Sequence, residues 1–297
     1  MFGRRPDGRR LQGADPIVMF TPYIMPTRVD SQVLIRLKMD FDKMTQYIRE
    51  QRAKGVKLTY MGLILAAFVR TVSQYPEMNR FIMNKQLFAR NHLCVSFVTL
   101  KSEPSGELKE SLVKVSFHPS ETVYEVNEHL EYAIAANRAP AQTNITDTLA
   151  RGLMAIPGLA QVVVALARLL DRYGLLPPII AKASPFHTSM FISNMASIGM
   201  GDIYHHIYNF GTTSLFFGMG KTEDEVLMNA DGTCRRRRVM PIGAVIDERI
   251  AGGAEYARAF GFLQHCLSHP ETLETAPETV KFETPYKDQK RQINAKD

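Results

Sequence analysis

The sequence predicts an α/β fold, because helix patterns and strand patterns alternate along its 297 residues. Apolar residues repeat with helical spacing over 41–54, and a second helix is predicted from Thr59 to the break at Tyr75 and Pro76. Residues 92–100 and 112–117 then have the composition of strands. Apolar and polar side chains alternate strictly in the second of these strands, which predicts a sheet with one covered face.

Local signals mark the ends of the predicted helices. Asp40 is a candidate N-cap of the first helix, and Gly55 is a candidate stop. Thr122 and Glu125 have the spacing of a capping box, which predicts another helix directly after the second strand.

The C-terminal half predicts more strands and a final helix. Asp231 and Gly232 have the composition of a tight hairpin turn that leads into the last strand. The final helix, over 254–267, carries apolar residues along one stripe. The strand candidates lie at 188–193, 213–219 and 236–246.

The net charge of +6 is confined to short segments of the chain. Residues 1–14 contribute +3, the four arginines at 235–238 contribute +4, and residues 271–297 contribute −1, so the rest of the chain is neutral. A nucleic-acid-binding protein usually carries a basic stripe across its fold. We therefore expect no nucleic-acid partner.

The cysteines and the N-terminus indicate the compartment. Cys94, Cys234 and Cys266 are odd in number and far apart, without the spacing of metal ligands, so we predict no metal site and a reducing environment. The N-terminal arginines are not followed by the apolar region of a signal peptide. We therefore expect a cytoplasmic protein.

One apolar segment, 153–170, has nearly the length of a membrane span. It contains Pro157, Gly158 and Arg168, which are costly in a hydrocarbon environment. This composition favours a helix packed on its own protein over a membrane span. Contact with a membrane surface is a disfavoured alternative.

The most informative segment is a predicted strand that ends in a charged turn and enters a helix through two glycines. Its residues 247–254 read Asp-Glu-Arg-Ile-Ala-Gly-Gly-Ala. They resemble the Asp-His-Arg-x-x-Asp/Asn-Gly-Ala motif in the catalytic domain of 2-oxoacid dehydrogenase E2 acyltransferases and of chloramphenicol acetyltransferase. Further segments resemble motifs of the same family in the same order along the chain, at 38–44, 55–60, 75–79 and 191–194.

This resemblance covers residues 15–270 and implies a fold and an activity. The implied fold is the two-layer α/β fold of the chloramphenicol acetyltransferase type, with a mixed sheet, assembled as a homotrimer with active sites between subunits. The implied reaction moves an acyl group from a coenzyme A thioester to a small hydroxyl, amine or thiol. Residues 1–14 are then a basic arm and residues 271–297 a polar tail. Because so little precedes the domain, we expect no covalent lipoyl group.

The resemblance assigns the catalytic positions residue by residue. The family's oxyanion-stabilising serine is present as Ser193. Its general-base histidine is replaced by Glu248, and the Asp/Asn four residues later is replaced by Gly252. A free Glu has a pKa of about 4.3 against about 6.5 for His, so Glu248 is the weaker base unless burial raises its pKa. Two hypotheses stay open: a working acyltransferase, or a catalytically degenerate trimer that acts as a binding or assembly module.

Other polar residues have competing interpretations. His187 is expected to be a structural neighbour of Ser193 rather than a catalyst. His205 and His206 are candidates for hydrogen-bonded core or interface residues, for substrate contact, or for a metal site on a trimer axis. Arg235, Arg236, Arg237 and Arg238 could contact the phosphates of coenzyme A, or lie on a solvated hairpin or a subunit contact.

Overall fold

A seven-stranded mixed sheet with helices on one face forms the body of the protein. The structure is a computed structural model that describes residues 5–12, 15–102, 108–138, 152 and 154–283. The strands and helices, in chain order, are β1 (Gly8–Arg10), α1 (Pro16–Ile24), β2 (Gln32–Asp40), α2 (Phe41–Ala53), α3 (Tyr60–Gln74), β3 (Arg80–Met83), β4 (Gln86–Arg90), β5 (Leu93–Ser102), β6 (Leu108–Phe117), α4 (Val123–Arg138), α5 (Leu159–Arg172), α6 (Pro178–Ala183), β7 (Met190–Asn194), β8 (Leu215–Met219), β9 (Glu223–Met228), β10 (Cys234–Asp247) and α7 (Gly253–Ser268).

The large sheet has the strand order β2-β10-β8-β7-β5-β6, and β9 pairs with the first half of β10. Strand β7 runs parallel to both β5 and β8, whereas the other neighbours are antiparallel. A small sheet, β1-β4-β3, lies apart from it. Part of the predicted basic arm therefore forms β1, and the predicted domain boundaries stay a prediction.

The predicted helix starts are confirmed by their caps. The Asp40 carboxylate accepts a hydrogen bond from the backbone N–H of Lys43 at 3.1 Å, and the Thr59 hydroxyl accepts one from Gly62 at 3.0 Å. Thr122 and Glu125 form the predicted box, in which the Thr122 N–H donates to the Glu125 carboxylate at 2.8 Å. These side chains supply hydrogen-bond acceptors to backbone N–H groups at the helix starts, which have no acceptor inside the helix.

One face of the sheet packs on α2, α3, α4 and α7 to form the main core. Helix α3 is buried on nearly all sides, and its residues 60–69 are accordingly apolar or small on every face rather than amphipathic. In β6 the predicted alternation is confirmed, because Val113, Val115 and Phe117 are buried toward the helices.

The opposite, outer face of the sheet is partly covered by the chain that follows β7. A Cβ atom added at Gly218 or Gly243 would lie 2.6 or 2.2 Å from the backbone oxygen of Ile203. Only glycine permits so close an approach of two backbones. Next to this crossing, the His205 ring stacks on Phe216 with 4.4 Å between ring centroids.

Helix α5 contains much of the apolar segment at 153–170. This segment is helical, as predicted, but many of its apolar side chains are exposed instead of packed on the protein. Val162, Leu166 and Leu169 are 66%, 53% and 52% exposed. The side that faces the protein carries Asp171, which is buried in a hydrogen-bonded cluster. A buried carboxylate held by several donors therefore fixes the orientation of the helix and leaves an apolar arc uncovered. Among the residues described, no helix is long and apolar enough to cross a membrane.

Candidate active site

The motif at 247–254 is held by an ion pair inside the motif itself. Asp247 is completely buried and accepts hydrogen bonds from Arg249 Nε at 2.8 Å and Nη2 at 2.7 Å. The Ser31 hydroxyl donates to the same carboxylate at 2.9 Å, and Arg249 Nη1 donates to the backbone oxygen of Met25 at 2.9 Å. The two hydrogen bonds of the pair and its additional partners offset the free-energy cost of removing both charges from water.

The turn after the ion pair is tied to the first turn of α7. The Tyr256 hydroxyl donates to the backbone oxygen of Asp247 at 2.8 Å, and burial raises the pKa of Tyr256 well above its usual value, so it stays a neutral donor. The Glu255 carboxylate accepts from the N–H of Gly252 at 2.7 Å. The strand, turn and helix are thus fixed without an acidic side chain at position 252. Sequence reasoning missed Ser31 and Tyr256, because nothing in the motif indicates partners elsewhere in the chain.

Glu248 lies between two buried residues, but its own side chain is exposed. Its backbone N–H donates to the oxygen of Ser31 at 3.0 Å, which fixes the main chain and leaves the carboxylate free to reach outward. The described residues of its own chain do not bury this carboxylate.

Ser193 lies near the end of β7 and pairs with Gly218 on β8. It is half-buried, and its hydroxyl has one hydrogen bond within the described residues, to the sulfur of Met195 at 3.4 Å. Thioether sulfur is a weak acceptor. The hydroxyl can therefore turn to a stronger acceptor at little cost.

The strand register separates the two predicted catalytic residues within one chain. Ser193 is level with Gly218, and Gly218 is level with Gly243 on the antiparallel strand β10. Glu248 lies five residues after Gly243, directly beyond the end of β10. At about 3.3 Å per residue and about 4.8 Å per strand, the two Cα atoms are about 19 Å apart. One chain does not bring Ser193 and Glu248 together.

His187 belongs to a buried structural cluster. Its Nδ1 lies 2.8 Å from the Ser184 hydroxyl and its Nε2 lies 3.1 Å from the Asp171 carboxylate, which also accepts from Arg5 at 2.7 Å. Burial acts to raise the pKa of Asp171, but the hydrogen bond and charge of His187, together with Arg5, lower it below its usual value. This cluster ties residue 5 to α5 and to the segment before β7, in line with the structural role expected of His187.

His205 and His206 lie on the outer face, with 4.9 Å between their ring centroids. His205 is half-buried and His206 is exposed. Within the parts of the chain that the structure describes, no group of three or more metal-ligating side chains occurs.

The arginine run near the hairpin is largely neutralised by carboxylates of the same chain. These lie on β9, directly beside the run, and at the start of α2. The ion pairs are Arg236 with Asp224, Arg237 with Glu225 and Arg238 with Asp42. Groups already paired in this way carry less attraction for coenzyme A phosphates, which favours a solvated hairpin or a subunit contact for this run.

Comparison with known proteins connects this geometry to a family. Residues 181–275 match the family model of the 2-oxoacid dehydrogenases acyltransferase (catalytic domain). This segment contains both Ser193 and Glu248. A comparison with curated proteins found no match.

Solved structures show the same fold across most of the chain. The cubic core of the pyruvate dehydrogenase multienzyme complex matches with 16% identity and a TM-score of 0.54, over 86% of this chain and 87% of that chain. The dihydrolipoamide acetyltransferase of Azotobacter vinelandii, studied for the role of a serine, a histidine and an asparagine in its catalytic mechanism, has 18% identity and a TM-score of 0.51 over 82% and 83%. A chloramphenicol acetyltransferase matches with 12% identity and a TM-score of 0.52 over 88% and 99%. The resemblance inferred from the sequence and the two-layer α/β fold with a mixed sheet are confirmed.

Proposed function

We propose that the protein transfers an acyl group from a coenzyme A thioester to a small hydroxyl, amine or thiol, in a homotrimer whose active sites lie between subunits. The acyltransferase fold and the motif segment at 181–275 support the reaction class. Ser193 and Glu248 are the residues we assign to the chemistry.

The separation of about 19 Å between Ser193 and Glu248 in one chain carries this proposal. The two residues lie at different ends of the sheet. Among the described residues the Ser193 hydroxyl has only a weak sulfur acceptor, and the Glu248 side chain is exposed. A neighbouring copy that places its Glu248 against Ser193 would join the two halves of a site and would bury the carboxylate. Burial disfavours the charged form of a carboxylate, which makes it a stronger proton acceptor.

The proposed reaction uses one proton acceptor and one hydrogen-bond donor. Glu248 accepts the proton of the acceptor's hydroxyl, amine or thiol while that atom attacks the thioester carbonyl carbon. The Ser193 hydroxyl donates to the oxyanion of the tetrahedral intermediate. When the carbon–sulfur bond breaks, the coenzyme A thiolate leaves and takes up the proton that Glu248 accepted. Atoms and charges balance without a metal or a redox partner.

A second candidate function is a binding or assembly module that keeps the trimer without the chemistry. The exposure of Glu248 in its own chain and the glycine at position 252 favour it. The ion pair of Asp247 and Arg249 holds the motif in shape regardless of what residue 248 does, so the fold alone does not require catalysis.

A thiol-release assay with a panel of acyl-CoA donors and small acceptors separates the two candidates. We expect turnover that falls by roughly 10²- to 10³-fold in Ser193→Ala and roughly 10²- to 10⁴-fold in Glu248→Gln. Glu128→Gln is the matched control. Glu128 is exposed on α4, so this substitution removes the same charge at a position away from the site. Turnover that neither site variant changes would overturn the residue assignment, and absence of coenzyme A binding by calorimetry would overturn the reaction class.

A further inference from the structure

A cavity of about 340 Å³ lies beside the buried pair of Asp247 and Arg249. It is bounded by the hairpin between β3 and β4, by the C-terminal half of α5, and by the segment before β2. Its charged lining residues are Arg28, Lys85, Arg168, Asp171, Arg172 and Arg249.

Two of these charges are already compensated. Arg249 pairs with Asp247, and Asp171 is held by Arg5 and His187. The remaining cations have no ion pair with a carboxylate among the described residues. The cavity is therefore lined by four cations that form no ion pair within the described residues, Arg28, Lys85, Arg168 and Arg172, although the Lys85 ammonium lies 5.3 Å from the centre of the Tyr23 ring.

Arg28 is the most unusual of these cations, because it is only 5% exposed. Its Nη2 donates to the backbone oxygen of Ile82 at 2.9 Å and its Nη1 to that of Asn209 at 3.3 Å. Its Nε is buried and has no hydrogen-bond partner in the part of the chain that the structure describes. Burial lowers the pKa of Arg28 to about 10, although the charge of Asp247 opposes this effect. A buried guanidinium that only carbonyl oxygens contact gains more from a nearby anion than a solvated one does.

The other cations come from two different elements. Arg168 and Arg172 are four residues apart on α5 and therefore share one helix face. Arg172 Nε donates to the Asn84 side chain at 2.9 Å, which orients its guanidinium beside the hairpin, and Lys85 follows Asn84 directly. Asn84 and Lys85 both have positive φ, at 50° and 58°, so the tight turn places the lysine at the cavity.

We propose that this cavity binds an anionic oxygen group, either a phosphate or a carboxylate. Guanidinium groups match both groups with paired hydrogen bonds, and the lysine adds a point charge. Anion binding in this cavity does not depend on acyl transfer.

Thermal unfolding and calorimetry test this site without measuring activity. The probes are pyrophosphate and succinate, each compared with sodium chloride at the same ionic strength. We expect at least one probe to raise the unfolding temperature of the wild type. In the double variant Arg168→Gln/Arg172→Gln, which changes two exposed residues, we expect at least a tenfold weaker dissociation constant for that probe.

The matched control is Arg49→Gln/Arg52→Gln, which removes the same charge from exposed positions on α2. We expect this control to bind like the wild type. Preference for pyrophosphate, and then for coenzyme A or adenosine 3′,5′-bisphosphate, identifies a phosphate group; preference for succinate identifies a carboxylate. A response no larger than that to chloride, or an equal loss in both double variants, would overturn the proposal.

Discussion

Mixing two inactive variants tests whether the site forms between chains. Ser193→Ala removes the proposed oxyanion donor and Glu248→Gln removes the proposed base, and each change lies at a different end of the sheet. If each site takes Ser193 from one chain and Glu248 from the next, a mixed trimer contains some sites with both native residues. If each site instead lay within one chain, every site in the mixture would carry one of the two substitutions.

The expected recovery follows from the symmetry of a trimer. In trimers assembled at random from equal amounts of the two variants, a site is intact when its Glu248 comes from a Ser193→Ala chain and its Ser193 from a Glu248→Gln chain. About one quarter of the sites meet this condition. Because Ser193 and Glu248 are about 19 Å apart in one chain, beyond hydrogen-bonding distance of a common substrate atom, no intact site arises otherwise.

The assay is thiol release after the two variants are unfolded together in urea, refolded, and compared with each variant refolded alone. We expect the mixture to recover about one quarter of the wild-type rate and each variant alone to stay at background. Light scattering on the same samples checks that trimers have re-formed. Trimers of normal mass without recovered activity, when the wild type recovers its rate under the same treatment, would refute the argument from the strand register.

Three further predictions concern the frame around the site. Asp247→Asn leaves the buried Arg249 without its counter-charge and is expected to lower the free energy of unfolding by about 3–5 kcal/mol, measured in urea. Gly243→Val forces the chain at Ile203 away from the sheet and is expected to cost at least about 1–3 kcal/mol in the same assay. The pKa of Asp171 is lowered in the folded state, so this carboxylate stabilises the fold at pH values above its unfolded-state pKa of about 3.9. That contribution is lost as the pH falls toward the folded-state pKa. The difference in the free energy of unfolding between the wild type and Asp171→Asn should therefore shrink below about pH 4.

Controls for these measurements are available on the surface. Arg236→Gln removes an exposed charge whose partner is also exposed, so its unfolding midpoint should match that of the wild type. Gly55→Asn changes an exposed turn glycine with positive φ and open space around it, and it should be tolerated far better than a side chain at Gly243. An unchanged midpoint for Asp247→Asn would contradict the role given to the buried ion pair.

Much of the helical layer follows from local signals in the sequence. The caps at Asp40, Thr59 and Thr122 act within one turn of their helices, so short segments are enough to predict α2, α3 and α4.

The sequence does not predict strand β2, although the apolar residues Val33, Ile35, Leu37 and Met39 do alternate with their neighbours. Leu34 on the outer face obscures the pattern, because it is apolar and more than half exposed.

The sequence motifs name candidate site residues, but they do not predict how the sheet arranges them. Ser193 and Glu248 follow from the motifs, whereas their separation depends on the antiparallel pairing of β10 with β8 and the parallel pairing of β8 with β7. The arginine run shows the same limit, since its compensation by Asp224 and Glu225 depends on the pairing of β9 with β10. Strand order joins residues far apart in the sequence, and no local pattern encodes it.

The motif separates the residues that keep its shape from the residue assigned to the chemistry. Asp247 and Arg249 are buried and bonded to each other, and Tyr256 fixes the helix to the strand, so none of them can change without a loss of stability. Glu248, between them, contributes only its backbone N–H to the described contacts. A fold organised in this way tolerates a carboxylate where the family motif has an imidazole, because the exchange disturbs no packing. The stability of the motif therefore does not depend on the side chain at position 248, and under the proposed function it is the neighbouring subunit that would bury this carboxylate.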